Sequence, residues 1–356
     1  MQSILVFPSS LDASLICLED ARKWKLKVIG ASSVSNDPYK SWFDAWEYLP
    51  FIHEDHFASE LDKIITRYNV SALAIPHAPS YQRIAEIKER FFPHIHFIEE
   101  SPYVKQMSII NNARKLGKKS LETIKTMTGK SDPIREDFLT SLLSNALPLY
   151  GESSREKIIA LCSIFVDAPK GDVIELGVFF GKSIYVLNRL AAYFKLGSTL
   201  AIDPWDMELS IQSESPQGIQ KLSKVWDWET VFQGFLMNMQ ASHAGNFNYL
   251  RMPSSKAWQY YNTNTSVISA EFGDTPYTGK ISILHIDGNH DEAIVSEDFR
   301  LWETRLQPGG WIVFDDYEWS QGSGPLNTVN QIKNEFAARI ETFFVAGGAA
   351  FMKLKR

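Results

Sequence analysis

Short apolar runs alternate with longer stretches of helical apolar spacing over the first hundred residues. Strands and helices in this alternating order predict βαβ units, a parallel sheet and right-handed crossovers. The pattern therefore predicts a small Rossmann-like α/β domain over residues 1–104. Its predicted strands are Ser3–Phe7, Leu26–Ala31, Ala72–Pro76 and His94–Ile98, and its predicted helices are Leu11–Lys23, Ala58–Tyr68 and Tyr81–Phe91.

A lysine-rich segment without a strand pattern follows and predicts a helical linker over residues 105–150. Its helical pattern is interrupted near Lys130–Pro133. The serines after Gly151 then form a capping signal in front of an apolar-periodic helix at Lys157–Val166. This signal predicts the start of a second domain, which covers residues 151–356.

The second domain begins with a buried-type strand, Asp172–Leu176, which leads through a glycine turn into a helix at Lys182–Phe194. Another helix is predicted at Asp291–Arg305, and Gly347-Gly348 is predicted to turn a C-terminal antiparallel hairpin. The pattern thus predicts a second, larger α/β domain. Its other predicted strands are Thr199–Ile202, Asn248–Met252, Ile281–Ile286, Trp311–Phe314, Phe343–Ala346 and Ala350–Leu354.

Composition narrows the classes of partner. The chain has 356 residues, of which 44% are hydrophobic and 22% charged, as is usual for folded soluble domains. A formal net charge of -6 provides no broad basic field, so we expect a small-molecule partner and no nucleic acid.

Cys17 and Cys162 match neither a zinc nor a disulfide pattern. No apolar window approaches the ~18 residues of a membrane span, and the start is unlike a signal peptide, so we expect a cytoplasmic protein without membrane association.

The glycine turn of the second domain reads ELGVFFGKS, from Glu175 to Ser183. Glycine lets backbone amides approach a ligand closely, so Gly177 and Gly181 predict a ligand-binding turn. Phe179 occupies the position where the dinucleotide pattern GxGxxG requires glycine, which disfavours a nicotinamide cofactor. Asp203, at the end of the next strand, suits the two donors of a ribose diol. Taken alone, this turn is equally compatible with structural packing.

Carboxylates follow two later strands of the predicted sheet. Asp287 begins the segment Asp-Gly-Asn-His after one strand, and Asp315-Asp316 follows another. Because the carboxyl ends of parallel strands meet at one edge, these side chains are expected to converge there. Crowded carboxylates repel unless a cation neutralises them, and an oxygen-only donor set suits Mg²⁺. The alternative is that these residues only cap a strand and form a turn.

His290 lies three residues after Asp287, where it could reach a hydroxyl bound at the carboxylates. An imidazole with an ordinary pKa of about 6.5 suits a general base near neutral pH. The alternative is a helix-start histidine that only supports its neighbours. His285, within the strand, is interpreted as a core residue.

Two further segments are candidates for binding. The long segment between Asp203 and Phe247 contains Trp226, Trp228 and other aromatic residues, and it predicts either a lid or acceptor-binding cap, or a helix packed on the sheet or on a second subunit. Ser254, in the segment Pro-Ser-Ser after a predicted strand, is a candidate contact for the adenine or methionine end of a cofactor.

The blocks VIELGVFFGKS, LAIDPWD and ILHIDGNHDEAIVSEDFRLWETRLQPGGWIVFDDYEW together resemble the macrocin O-methyltransferase-like family of sugar methyltransferases. The resemblance covers about Gly151 to Arg356, and the first domain only loosely resembles the domain that precedes ATP-grasp enzymes. It implies a class I methyltransferase fold with a seven-stranded sheet, S-adenosyl-L-methionine over the glycine turn, and a Mg²⁺ ion that positions an acceptor hydroxyl. The aspartate at 315 is a departure, because related metal sites can have glutamate there.

The resemblance also implies roles for individual residues. His290 would be the catalytic base, and the metal ligands would be Asp287, Asp315 and Asp316. The cofactor would contact Glu175, Gly177, Gly181, Ser183, Asp203, Ser254 and Asp287.

The sequence therefore predicts a methyltransferase that uses S-adenosyl-L-methionine and a divalent metal, with a hydroxyl of a sugar or another polyhydroxylated metabolite as acceptor. Three alternatives stay open at this point. The acceptor could be a phenolic or natural-product hydroxyl, the domain could be a cofactor-binding scaffold without turnover, or the carboxylates could belong to a metal hydrolase. A homo-oligomer is also left open.

Overall fold

The computed structural model describes residues 3–243 and 245–355, without the side chains of Ile219 and Leu222. The chain divides into two compact units, Met1–Asn112 and Ala113–Arg356. The domain boundaries predicted at residues 104 and 150 stay predictions.

The first unit contains a parallel sheet with the strand order β3-β2-β1-β4-β5. This arrangement confirms the predicted Rossmann-like α/β domain. Strand β3 was not predicted, because its four residues are only half-buried or exposed and form no apolar run. The elements are β1 (Ser3–Val6), α1 (Asp12–Lys23), β2 (Lys27–Ser32), β3 (Ala45–Tyr48), α2 (Phe57–Tyr68), β4 (Val70–Ala74), α3 (Ala78–Phe91) and β5 (His96–Phe97), with a 3₁₀ turn at Lys40–Trp42.

Two long helices follow, α4 (Pro102–Thr128) and α5 (Glu136–Ala146), with a break between them where the sequence predicted one. The predicted helical character of this segment is therefore confirmed. From Ala113 onward these helices belong to the second unit, and their apolar positions are buried in its core. These buried residues are Leu121, Ile124, Leu139, Leu142, Leu143 and Ala146.

In the rest of the second unit, strands and helices alternate along most of the chain. The helices are α6 (Arg155–Phe165), α7 (Lys182–Phe194), α8 (Gln217–Val225), α9 (Trp228–Gln240), α10 (Ser254–Thr263), α11 (Glu292–Trp302) and α12 (Gly324–Glu335), with a 3₁₀ turn at Glu303–Arg305. The strands are β6 (Asp172–Leu176), β7 (Thr199–Ile202), β8 (Phe247–Leu250), β9 (Ser266–Ser269), β10 (Gly273–Pro276), β11 (Ile281–Ile286), β12 (Leu306–Phe314), β13 (Ile340–Ala346) and β14 (Ala349–Leu354).

The main sheet of this unit has seven strands in the order β13-β14-β12-β11-β6-β7-β8. Strand β14 pairs antiparallel with β12 and β13, and the other pairs are parallel. The predicted seven-stranded fold and the turn at Gly347-Gly348 are thus confirmed. Strands β9 and β10 form a separate hairpin that the sequence pattern did not reveal.

Strands β6 and β11 are parallel neighbours that are far apart in sequence, and the strands that follow β6 and those that follow β11 extend the sheet in opposite directions. In open parallel sheets, such a reversal opens a crevice beyond the carboxyl ends of the strands. The loops after β6, β7, β11 and β12 meet there.

Among the helices of the described residues, none is both long enough and apolar enough to cross a membrane.

Candidate active site

A cavity of about 720 Å³ lies beyond the carboxyl ends of β6, β7, β11 and β12. This volume is within the usual range of small-molecule sites. Most of the site residues predicted from the sequence line it together. They are Gly177, Ser183, Asp203, Ser254, Asp287, His290, Asp315 and Asp316.

Two predicted cofactor contacts, Glu175 and Gly181, are not among the residues that line the cavity. Gly181 has a φ of 91° and immediately precedes α7, where it packs against Phe235. Glu175 is fully buried, and its Oε1 lies 2.7 Å from Nδ1 of His285. This placement makes Glu175 a support beneath the site. The contacts of both residues with a cofactor stay predictions.

The glycine turn after β6 lies directly against the backbone of the Asp287 segment. Gly177 has a φ of 81°, and a Cβ atom there would lie 2.2 Å from the carbonyl oxygen of Asp287. The amide of Asp287 also donates to the carbonyl of Leu176 at 2.7 Å. Only glycine satisfies both the left-handed backbone and this close approach. The turn therefore positions Asp287 beside the cavity.

Asp203 holds the glycine turn through its carboxylate. Its Oδ2 accepts from the amides of Val178 at 2.8 Å and Phe179 at 3.0 Å, and its Oδ1 accepts from the amide of Trp205 at 2.7 Å. Burial raises the pKa of Asp203 above its ordinary value, although these amide donors oppose that effect. Asp203 thus has a definite role within the turn, and its contact with a ribose stays a prediction.

Three carboxylates converge as the sequence predicted. One oxygen each of Asp287, Asp315 and Asp316 lies within 4.8 Å of the others. The fourth member of this cluster is Lys157 of α6, which was not predicted from the sequence. Its Nζ lies 3.2 Å from Oδ2 of Asp287 and also contacts Oδ2 of Asp315.

The electrostatics of this cluster follow from burial and mutual repulsion. Burial and the charge of Asp315 raise the pKa of Asp287 well above its ordinary range. Burial also acts on Asp315, but the Lys157 ammonium and a hydrogen bond with Asp287 together outweigh it and hold the pKa of Asp315 below its ordinary value. For Lys157, burial is outweighed by both carboxylates, so its pKa is raised and it stays charged. The cluster is therefore an ion-paired group that keeps at least one ionised carboxylate.

His290 connects the third carboxylate to the opposite wall of the cavity. Its Nε2 lies 2.6 Å from Oδ2 of Asp316, and its Nδ1 lies 2.8 Å from the side-chain amide oxygen, Oε1, of Gln212. Its ring stacks on Trp319, with 4.3 Å between the ring centroids. Both partner atoms are acceptors, so a neutral ring can donate to only one of them, and donation from Nε2 to Asp316 leaves Nδ1 unprotonated beside the Gln212 oxygen. The stacking and the hydrogen bond with Asp316 hold the ring at the cavity surface.

Ser254 begins α10, and its hydroxyl contacts a carboxylate oxygen of Asp298. Asp298 lies in α11, lines the cavity and is only 5% exposed. Burial raises the pKa of Asp298 to about 7. This buried carboxyl group was not predicted. A polar residue at the spacing of Val295, Phe299 and Trp302 on the buried helix face is the signal that could have revealed it.

Aromatic side chains form one wall of the cavity. Phe179 lies 4.5 Å from Trp226 and 4.6 Å from Phe180, measured between ring centroids, and Tyr150 lies 5.4 Å from Phe180. The fifth member of this wall is Trp228. Phe232 and Phe235 of α9 are instead buried in the core. Trp226 and Trp228 of the aromatic segment thus line the cavity, its Phe232 and Phe235 pack in the core, and its role as a lid or acceptor-binding cap stays a prediction.

A seven-stranded sheet of this order, a glycine turn after β6 and acidic residues after β11 and β12 define a class I methyltransferase-like fold. Residues 174–317 match a family model described as a methyltransferase domain. This range contains the glycine turn and all three clustered carboxylates. The match confirms the enzyme class predicted from the sequence, a methyltransferase.

No curated protein matches the chain. Among solved structures, the O-methyltransferase NovP is 14% identical with a TM-score of 0.40, and the match covers 56% of this chain and 80% of NovP. The calicheamicin methyltransferase CalS11 is 12% identical with a TM-score of 0.39, over 72% of this chain and 94% of CalS11. The mycinamycin-pathway methyltransferase MycE, solved with Mg and SAH, is 14% identical with a TM-score of 0.37, over 61% of this chain and 54% of MycE. Likenesses this distant carry no argument about acceptor or metal.

Proposed function

We propose that this protein is an S-adenosyl-L-methionine-dependent O-methyltransferase that uses a divalent metal and acts on a hydroxyl of a sugar or another polyhydroxylated metabolite. The observation that carries the proposal is the convergence of the glycine turn, the three carboxylates and His290 on one cavity. The methyltransferase-domain match over the same residues supports the cofactor class. The same match disfavours a metal hydrolase.

The cluster fits a hard divalent cation. Asp287, Asp315 and Asp316 offer only oxygen donors, and all three face the cavity. Such donors suit Mg²⁺, which keeps water or substrate oxygens in its remaining positions. A cation held there would lower the pKa of an acceptor hydroxyl. Lys157 does not line the cavity, so it leaves the cavity-facing side of the carboxylates free for such an ion.

The residues of the chain supply orientation and proton transfer. The glycine turn would hold the sulfonium cofactor beside Asp287, and the aromatic wall would limit the positions of the acceptor ring. His290 would accept the acceptor's proton through Nδ1, while Asp316 stabilises the imidazolium that forms. This role requires the acceptor hydroxyl to displace Gln212 from Nδ1.

The first test is calorimetric titration of S-adenosyl-L-methionine into the protein, with Mg²⁺ and with a chelator. Binding under either condition supports the methyltransferase proposal, and a lack of binding under both contradicts it. Methyl transfer from labelled cofactor to a panel of sugar nucleotides, glycosides and catechols then identifies the acceptor.

One substitution tests the proposed base. His290→Asn removes the imidazole and should lower kcat by about 10²–10⁴-fold, because general bases contribute about that much. His94→Asn replaces an exposed histidine of the first unit and serves as the control. Unchanged kcat in His290→Asn would exclude the base role.

A phenolic acceptor is the second candidate, and the aromatic wall favours it. The five aromatic side chains line the same cavity as the carboxylates, and they could stack on a planar phenolic ring. Preferential methylation of catechols over sugar derivatives in the acceptor panel would establish this alternative.

A further inference from the structure

Lys157 is a buried cation that neither the sequence pattern nor the domain match draws attention to. It lies in the first turn of α6, where Ser154 caps the helix by accepting from the amide of Lys157 at 3.1 Å. The neighbouring residues Ile158 and Ile159 are buried apolar side chains, and the side chain of Lys157 itself is only 1% exposed. A lysine is rarely buried to this extent without paired charges.

The backbone around Lys157 is held by the C-terminal hairpin. Gly347 has a φ of 60°, and a Cβ atom there would lie 2.4 Å from the amide nitrogen of Lys157. The hairpin turn therefore packs on the first turn of α6 without an intervening side chain. This contact fixes the point from which the lysine side chain reaches the carboxylates.

The Lys157 ammonium approaches the carboxylate cluster from the protein interior. It contacts Asp287 and Asp315, while the third carboxylate, Asp316, is paired with His290. Asp287 and Asp315 still line the cavity, with 20% and 15% of their side chains exposed. The lysine thus occupies the inner side of the cluster, and the outer side faces the cavity.

We propose that Lys157 is a built-in counter-ion that assembles the carboxylate site before a metal binds and sets how tightly the metal is held. Three ionised carboxylates would carry three negative charges, and Lys157 reduces this to two. A carboxylate cluster paired with the lysine therefore binds a divalent ion more weakly than the same cluster without the lysine would. The reason is that the ammonium neutralises part of the negative charge that attracts the ion. The inference rests on the metal-dependent function proposed above.

The test is Lys157→Met, which keeps a similar volume and removes the charge. Calorimetric titration of MgCl₂ into the free full-length protein should give a dissociation constant about tenfold lower than in wild type, or lower still. Thermal unfolding provides a second measurement. In the presence of a chelator, the variant should unfold at a temperature well below that of wild type, because two carboxylates lose their shared cation. Saturating Mg²⁺ should recover much of the lost thermal stability.

Lys353 provides a matched control. Its side chain is only 6% exposed, and its Nζ lies 2.6 Å from Asp167 and 3.0 Å from Glu341, away from the cavity. Lys353→Met should also destabilise the protein, but Mg²⁺ should not restore it and the affinity for Mg²⁺ should not change. Comparing the two variants separates the general cost of losing a buried ion pair from a specific effect on the affinity of the metal site.

The outcomes distinguish this inference from the proposed function. If wild type binds Mg²⁺ and Lys157→Met binds it no more tightly, the lysine is only structural and the inference is wrong. If neither protein binds Mg²⁺ or Mn²⁺, the metal-dependent part of the proposed function fails together with the inference. Binding of S-adenosyl-L-methionine reports separately on the methyltransferase proposal. Should Lys157→Met not fold, Lys157→Gln removes the same charge, keeps a hydrogen-bond donor and is expected to show the same tighter binding.

Discussion

Gly177→Ala tests the contact between the glycine turn and the Asp287 segment. The backbone there has a φ of 81°, and the added Cβ would lie 2.2 Å from the Asp287 carbonyl oxygen and 2.4 Å from Cα of Gly288. The left-handed conformation costs a non-glycine residue about 1–2 kcal/mol. Overlap with a packed neighbour adds about 1–3 kcal/mol, and no rotamer change relieves it because both contacted atoms belong to the backbone. We expect Gly177→Ala to lower the free energy of unfolding by about 2–5 kcal/mol.

Gly273→Ala isolates the first of these contributions, the cost of the left-handed backbone. Gly273 has a φ of 70°, close to that of Gly177, but a Cβ atom there would have no neighbour within 4 Å. It should therefore lose only the conformational cost of about 1–2 kcal/mol. Equilibrium unfolding in urea, followed by circular dichroism and by tryptophan fluorescence, measures both variants. Equal losses in the two variants would refute the close approach between the turn and Asp287.

Two further predictions concern buried carboxyl groups of the cavity. Asp203→Ala removes the carboxylate that accepts hydrogen bonds from three backbone amides. It should destabilise the cofactor-free protein by about 3 kcal/mol, at about 1 kcal/mol for each hydrogen bond. If Asp203 only contacted the ribose of a cofactor, the stability of the cofactor-free protein would not change. Burial raises the pKa of Asp298 to about 7, so the folded state binds its proton more tightly than the unfolded state. The contribution of Asp298 to stability is therefore full below its unfolded pKa of about 4 and is lost as the pH rises to about 7. The stability of Asp298→Asn relative to wild type should consequently rise over this range, by up to about 4 kcal/mol. Urea unfolding between pH ~4 and ~8 measures this difference, and a constant difference would contradict the raised pKa of Asp298.

The periodicity of the sequence was sufficient to predict the central elements of both sheets. Strands β6, β7 and β11 have the predicted bounds, because buried parallel strands are short apolar runs that end at glycine or acidic residues. Strand β3 and the β9-β10 hairpin were missed. Their residues are largely exposed or half-buried, so they lack the apolar signal and form through pairing with neighbouring strands.

The sequence by itself also determined that acidic residues would gather at one edge of the second sheet, since parallel strands place their carboxyl ends together. Only the tertiary structure revealed that Lys157 is part of this cluster. It is distant in sequence from Asp287 and Asp315, and in the sequence it is an ordinary polar residue in the first turn of a helix. The packing of α6 against the Gly347-Gly348 turn brings its ammonium to the carboxylates. Local patterns record which face of an element is apolar, whereas the pairing of charges from separate elements depends on how those elements pack.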